Sequence, residues 1–127
     1  MSTAGIVIIG NEILTGKVQD ENTPWLLREL RRQGVDVPRV HVIADVIPEI
    51  ARDVREFSLA YDYVLTSGGV GPTHDDVTMD GVAAAFDVPL EQNVEMTGML
   101  NAALRGREPN ASMIKMCMLP VGATLIA

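Results

Sequence analysis

The chain has 127 residues, of which 47% are hydrophobic and 21% charged, a composition typical of one folded domain rather than of a disordered chain. Its formal net charge of −7 argues against non-specific binding of DNA or RNA, which needs a basic surface. A single cysteine excludes an intrachain disulfide, and no apolar run approaches the length of a membrane-spanning helix. We therefore expect one cytoplasmic domain over residues 1–127 that binds neither nucleic acid nor membrane.

Apolar runs and turn residues predict alternating strands and helices along the chain. The run over residues 5–10 is rich in β-branched residues and ends at a glycine, as in a central parallel strand. Thr23 is predicted to cap a helix whose first position is Pro24. Strands are predicted over residues 5–10, 35–43, 61–66 and 123–127, and helices are predicted to begin at Thr23, Pro48, Thr78, Val94 and Ala111, the last of them ending at Leu119.

Helical spacing of apolar residues indicates which helix faces enter the core. These faces are predicted to consist of Leu26, Leu27 and Leu30, then of Ile50, Val54 and Phe57, and then of Val82, Ala85 and Phe86. Gly81 weakens its helix by about 1 kcal/mol relative to alanine. Gly81→Ala is therefore expected to stabilise the protein, provided that nothing packs against the glycine.

Strand–helix alternation of this kind predicts a three-layer α/β/α sandwich with buried parallel strands. Right-handed crossovers place the loops that follow the first three strands at one edge of the sheet, where ligands bind in open α/β folds. The loops in question contain Asn11 and Glu12, Asp45, and residues 68–76. Acidic side chains from three parts of the sequence are thus expected to face one crevice.

The segment from Ser67 to Thr78 gives the most specific indication of function. Its sequence is S-G-G-V-G-P-T-H-D-D-V-T. Glycines at the end of a strand let the backbone approach a ligand, and consecutive N–H groups can bind an anion. Thr78 is predicted to cap the following helix, and the N-terminus of a helix also favours phosphate. We expect the phosphate-binding residues to be Ser67, Gly68, Gly69, Gly71, Pro72 and Thr73.

The neighbouring acids each have a functional and a structural interpretation. Asp76 is predicted to be catalytic and to bind a divalent metal such as Mg²⁺, although an aspartate before a helix also serves as a cap. Asp45 and Asp75 are further catalytic candidates, and Glu12 is a second metal candidate. A turn explains Asp45 equally well, and Asp75 is as compatible with a solvent-facing side chain.

Two motifs in the chain resemble one family. They are G-N-E-I-L-T-G at residues 10–16, followed by Asn22, and G-G-V-G-P-T-H-D-D-V-T at residues 68–78. Both resemble the molybdopterin-binding domain found in MoaB, MogA, gephyrin and MoeA. The resemblance is greatest to the amino-terminal domains of CinA-type competence/damage-inducible proteins and of eukaryotic FAD synthetases. It covers residues 5–124 and implies a sandwich with a mixed sheet that assembles as a homo-oligomer, with a trimer favoured.

The resemblance also implies roles for individual residues. Two aspartates serve the adenylyltransferase members, and Asp45 and Asp76 match them by position. Asn11, Gly16 and Asn22 fall in the first motif and are expected to contact the ligand; Asn11 stands where many members have aspartate. The family domain continues beyond the position of Ala127, so a chain truncated at its carboxyl end is one interpretation.

Two classes of function remain open from the sequence. One is an enzyme acting on a phosphoanhydride. It would be either a metal-dependent pyrophosphatase that cleaves a dinucleotide such as ADP-ribose or FAD, or a molybdopterin adenylyltransferase of molybdenum cofactor biosynthesis. The other is a non-catalytic binding or regulatory module with the same pocket. In either class the partner is a phosphorylated small molecule, and molybdopterin is one candidate ligand.

Overall fold

A computed structural model describes residues 1–126 and contains five strands and six helices. The strands are β1 (Thr3–Ile9), β2 (Asp36–Ile43), β3 (Tyr63–Ser67), β4 (Leu90–Gln92) and β5 (Met118–Pro120). The helices are α1 (Asn11–Leu14), α2 (Asn22–Arg32), α3 (Ile47–Ala60), α4 (Thr78–Ala85), α5 (Val94–Leu104) and α6 (Ala111–Lys115). None of the helices within residues 1–126 is long and apolar enough to cross a membrane.

Three parallel strands in the order β2-β1-β3 form the central sheet. In the middle strand, Ile6 pairs with Val40 on one side and with Leu65 on the other. The chain moves from β1 to β2 in one direction and from β2 to β3 in the other. Right-handed crossovers therefore place α2 and α3 on opposite faces of the sheet. The predicted α/β architecture with parallel strands is confirmed.

Helix α3 contributes most of the core on its face of the sheet. Ile50, Val54 and Phe57 are buried against Val7 and Ile9 of β1. Full burial of such a side chain contributes about 1.5–3 kcal/mol to the free energy of unfolding. The predicted buried face of α3 is confirmed, because helical spacing places these residues on one side of the helix.

Two other helix faces differ from the prediction. Helix α2 has no buried residue, and Leu27 is exposed although it was predicted to lie in the core. In α4, Ala85 is buried but Phe86 lies just beyond the helix and is exposed. Leu26 and Leu30 are half-buried, so this face of α2 packs only in part against the rest of the protein.

The segment after α5 is the main correction to the predicted order of elements. Helix α6 ends at Lys115, and residues 118–120 form β5, which pairs antiparallel with β4. Helix was predicted as far as Leu119, but a short apolar run fits a strand equally well. No strand forms over residues 123–126, where one was predicted, and Ala127 lies outside the described residues.

Two threonines were predicted as helix caps and have other roles. Helix α2 begins at Asn22, and the Thr23 N–H donates to Oδ1 of Asp20 at 3.1 Å. Thr78 is fully buried, and its hydroxyl donates to the carbonyl oxygen of Gly68 at 2.8 Å. Aspartate is the better acceptor for helix N–H groups, and Thr78 instead joins α4 to the end of β3.

Gly81 brings α4 into close contact with α3. A Cβ at this position would lie 2.6 Å from Cβ of Ile50. The two helices lie close together because Gly81 has no side chain, so the condition attached to the predicted stabilisation by alanine is not met. The proviso that nothing packs against Gly81 fails, and sequence spacing alone does not reveal the contact.

Candidate functional site

The carboxyl ends of the three parallel strands meet at one edge of the sheet, as expected. Ile9 pairs with Ile43, and the Gly10 N–H donates to the Ile43 carbonyl oxygen at 3.0 Å. On the other side Ile8 pairs with Ser67, the last residue of β3. The loops that follow these strands therefore start from a common rigid base.

Asn11 and Asp45 bind each other reciprocally across the ends of β1 and β2. The Asn11 N–H donates to Oδ2 of Asp45 at 3.1 Å, and the Asp45 N–H donates to Oδ1 of Asn11 at 3.2 Å. The Asp45 carboxylate therefore connects two loops, as a structural residue does. A catalytic role for Asp45 stays a prediction.

A second polar pair joins the start of α2 to the end of β3. The Asn22 side-chain amide donates to Oγ of Ser67 at 2.8 Å. Ser67 is half-buried and Asn22 is exposed. This contact brings Asn22, which follows the first sequence motif, next to the start of the glycine loop; its contact with a ligand stays a prediction.

Glycines at the start of the loop are required by the protein's own contacts. Gly68 and Gly69 have φ angles of 95° and 68°, in the left-handed region that favours glycine. A Cβ on Gly68 would overlap the Ile9 carbonyl oxygen, and one on Gly69 would overlap the Thr78 hydroxyl. Close internal packing thus explains both glycines without a ligand, and their role in phosphate binding stays a prediction.

Asp76 organises the later part of the loop. Its Oδ2 accepts from the Thr73 N–H at 3.0 Å and from the Thr73 hydroxyl at 2.7 Å. The Thr73 hydroxyl is the main cause that lowers the pKa of Asp76; burial opposes it, while the Thr73 and Gly71 N–H groups and the Lys115 charge lower it further. The side chain is therefore a stable anion that faces the interior of its own loop.

Lys115, at the end of α6, also forms hydrogen bonds to this loop. Its ammonium donates to the Thr73 carbonyl oxygen and, at 2.6 Å, to the Asp76 carbonyl oxygen. Lys115 was not predicted as a site residue, because it lies far from both motifs in the sequence. The available signal was a lone cation in the apolar run M-I-K-M-C-M-L over residues 113–119.

Two cavities border the glycine loop. The larger has a volume of about 520 Å³ and the smaller of about 250 Å³. The larger is mainly apolar and is lined by Gly69, Gly71, Asp76, Asp80, Lys115 and four methionines, Met79, Met96, Met116 and Met118, among others. The smaller is lined by Glu12, Asn22, Ser67 and Gly68, together with neighbouring residues of β1 and of the segment 18–21.

Several predicted site residues line neither cavity. The side chains of His74 and Asp75 are 94% and 78% exposed and contact each other at 3.3 Å, so Asp75 faces solvent. Pro72 is exposed at the tip of the loop. Gly16 has a φ of 78° with no heavy atom within 4 Å of a Cβ placed there, which is a turn geometry. Their direct contact with a ligand stays a prediction.

Asp76, Asp45 and Glu12 do not form a protein-only metal site. Across residues 1–126 no group of three or more His, Cys, Asp or Glu side chains lies close enough to hold a metal ion. Asp45 follows β2, and the loop of Asp76 follows β3. These two strands lie on opposite sides of β1, and their axes are about 10 Å apart. One or two of these carboxylates would still suit Mg²⁺, because this ion commonly binds one or two carboxylates together with phosphates of the substrate.

A family model described as "Probable molybdopterin binding domain" matches residues 5–126. A "Probable FAD synthase" of Caenorhabditis briggsae is 48% identical over 102 residues, which are 80% of this chain and 20% of that protein. A "CinA-like protein" of Myxococcus xanthus is 38% identical over 93% of this chain and 28% of its own length. The chain thus spans about a fifth of the first of these relatives and less than a third of the second.

Solved structures share the fold. A CinA protein of unknown function from Thermoplasma acidophilum superposes with a TM-score of 0.89 at 29% identity, over 94% of this chain and 71% of the other. The molybdopterin biosynthesis enzyme MoaB of Thermus thermophilus superposes with a TM-score of 0.62 at 20% identity, over 89% and 70% of the two chains. The second similarity concerns the fold alone.

Proposed function

Since the chain belongs to the family of probable molybdopterin-binding domains, we propose that it binds a phosphorylated small molecule at the glycine loop and hydrolyses a dinucleotide such as ADP-ribose or FAD. In this reaction the oxygen of a water molecule attacks one phosphorus atom of the pyrophosphate, and the bond from that phosphorus to the bridging oxygen breaks. Two monophosphates leave, and the proton of the water passes to solvent or to a nearby carboxylate.

The observation on which this proposal rests is the position of the two cavities. Gly68 lines the smaller cavity, and the next residue, Gly69, lines the larger. A dinucleotide consists of two bulky halves joined by a pyrophosphate. With the pyrophosphate over residues 68–71, each half would have its own cavity, and the larger volume lies within the usual range for ligand sites.

Charge decides which residues would contact the phosphates. The chain has a net charge of −7, and both Asp76 and Asp80 line the larger cavity. The loop N–H groups and the Lys115 ammonium are the groups that attract an anion there. A divalent ion bound with the phosphates would neutralise further charge, and the two predicted metal ligands, Asp76 in the larger cavity and Glu12 in the smaller, are the carboxylates that would hold it.

Adenylyl transfer to molybdopterin is the second candidate. It is favoured by the fold shared with MoaB and by the description of the family. In that reaction a phosphate oxygen of molybdopterin would attack the α-phosphorus of ATP at the same loop, the bond from that phosphorus to the bridging oxygen would break, and pyrophosphate would leave. A module that binds the ligand without turnover is the third candidate. Light scattering tests the predicted trimer separately.

One set of incubations separates these candidates. ADP-ribose and FAD are each incubated with the protein and Mg²⁺, and the products are separated by chromatography. The pyrophosphatase proposal expects AMP with ribose 5-phosphate from the first and AMP with FMN from the second. Molybdopterin with ATP forms the second arm, in which adenylylated molybdopterin would support the transferase. Absence of product in both arms would contradict enzymatic function.

An acid substitution tests whether turnover belongs to this loop. Asp76→Asn is expected to abolish turnover, because it removes the negative charge while keeping the size of the side chain. Asp87→Asn, in the exposed turn after α4, is the matched control and is expected to retain it. Wild-type rates in Asp76→Asn, with the fold confirmed by circular dichroism, would exclude Asp76 from the mechanism.

A further inference from the structure

We propose that Lys115 is the positioning residue of the glycine loop, and that it fixes the backbone of residues 73–76 on which ligand binding depends. The chain has only two lysines, Lys17 and Lys115. Lys17 is exposed in the turn after α1, whereas Lys115 is half-buried and donates to the Thr73 and Asp76 carbonyl oxygens. No motif or predicted site residue assigns this role.

Helix α6, which carries Lys115, is itself held in place by several contacts. Asn110 caps α6, with its Oδ1 accepting from the Met113 N–H at 2.9 Å. Just after the helix, Cys117 and Leu119 are buried, and β5 pairs with β4. The ammonium therefore lies at the end of a short, capped and anchored helix. It joins this helix to Asp76 and Thr73, which precede Lys115 by 39 and 42 residues in the sequence.

Holding two carbonyl groups determines the direction of the peptide groups around them. A peptide unit is planar and trans, so a fixed carbonyl also fixes the N–H group of the next residue on its opposite side. The loop has a compact turn here, in which the Asp76 N–H donates to Thr73 O at 3.1 Å and Oδ2 of Asp76 accepts from Thr73. Without the ammonium, the two carbonyl oxygens lose their charged donor and the turn loses its link to α6.

Lys115 also supplies the positive charge of the larger cavity. Among the described residues that line it, Asp76 and Asp80 are acidic and Lys115 is the one basic side chain. An anionic ligand in this cavity would be repelled by the two carboxylates and attracted by the ammonium. This second effect, on ligand affinity, rests on the proposed function, whereas the positioning of the loop does not.

Amide hydrogen exchange of the free protein tests the positioning role without any ligand. The variants are Lys115→Met, which keeps an unbranched side chain of similar length without charge or donors, Lys115→Arg, which keeps both, and Lys17→Met as the matched control. We expect the Thr73 and Asp76 amides to exchange about tenfold faster in Lys115→Met, because the contacts of the turn open more often. Lys115→Arg should restore part of the protection, and Lys17→Met should match the wild type.

Three results would overturn the proposal. The first is wild-type exchange at Thr73 and Asp76 in Lys115→Met. The second is faster exchange in that variant throughout α3 and the sheet as well, which would indicate a general packing role. The third is an arginine variant that exchanges as fast as the methionine variant, which would show that charge and donors are not what holds the turn.

Calorimetric titration with ADP-ribose and Mg²⁺ then tests the effect on affinity. We expect Lys115→Met to weaken binding at least about tenfold relative to Lys17→Met, with partial rescue in Lys115→Arg. Equal affinities in Lys115→Met and Lys17→Met would overturn the role of Lys115 in binding. Failure of the wild type to bind ADP-ribose would contradict the proposed function, while the exchange data would still decide the positioning role.

Discussion

Thr73 donates both its backbone N–H and its hydroxyl to the same oxygen of Asp76, at 3.0 and 2.7 Å. An aspartate predicted to be catalytic and to bind a metal thus also shapes the loop that surrounds it. The two roles are compatible, because a carboxylate held by its own loop is oriented in advance and Asp76 lines the larger cavity. They also make the stability of the protein sensitive to the ionisation of Asp76.

Acid titration of an Asp76→Asn variant measures that sensitivity. The pKa of Asp76 is lowered in the folded protein, so its ionisation stabilises the fold above the ordinary pKa of 3.8. This contribution is lost as the pH falls through the lower folded pKa. We therefore expect the wild type to be more stable than the variant from about pH 5 upward, and the difference to shrink progressively at more acidic pH.

Urea unfolding at a series of pH values gives the two free energies of unfolding. Asp87→Asn makes the same change in formal charge at an exposed position and serves as the reference. If the wild type and Asp76→Asn lose stability in parallel on acidification, the hydrogen bonds from Thr73 do not stabilise the carboxylate.

A pair of glycine substitutions tests the contact between α3 and α4. Gly81→Ala is expected to destabilise the protein by about 1–3 kcal/mol, because the new methyl group overlaps Ile50 in a packed core. Gly98 lies within α5 with no heavy atom within 4 Å of a Cβ placed there, so Gly98→Ala should stabilise by up to about 1 kcal/mol. Thermal unfolding of both variants provides the measurement, and a more stable Gly81→Ala would show that the helices are not in close contact.

The sequence predicted the parts of the fold that follow from local patterns. The β-branched run of β1 and the spacing of Ile50, Val54 and Phe57 each specify an element and its buried side, and both are found. Other elements of the fold depend on contacts between residues that are far apart in the sequence. The segment over residues 118–120 is a strand because Leu90–Gln92 lies beside it, and no periodicity in the segment itself contains that information.

The candidate site, like the fold, could be predicted only in part from the sequence. The prediction of parallel strands joined by right-handed crossovers sufficed to bring Asn11, Asp45 and Ser67 to one edge of the sheet. The partners of each side chain were not predictable, since Asn11 binds Asp45 and Asn22 binds Ser67 through loops whose paths depend on tertiary packing. Lys115 was missed for that reason, because its acceptors are carbonyl oxygens that have no sequence signature.

Metal removal is expected to affect turnover and to leave the fold unchanged. No group of three or more potential ligands within residues 1–126 can hold an ion on its own, so EDTA should not change the Tm of the free protein. Hydrolysis of ADP-ribose should stop in excess EDTA and return when Mg²⁺ is added beyond the chelator, because the ion offsets repulsion between acidic residues and phosphates. Full hydrolysis in excess chelator would assign the acids a general-base role, and a lower Tm would reveal a structural metal.

Mapping of the ligand by NMR tests the central claim most directly. ADP-ribose with Mg²⁺ is titrated into ¹⁵N-labelled protein, and the backbone amide shifts are followed residue by residue. We predict saturable shifts over residues 67–77, together with amides around the two cavities, including Asn22 on one side and Lys115 on the other. Saturable shifts confined to surfaces away from the glycine loop, or no saturable shifts with ADP-ribose, FAD or molybdopterin, would contradict the assignment of this loop as the ligand site.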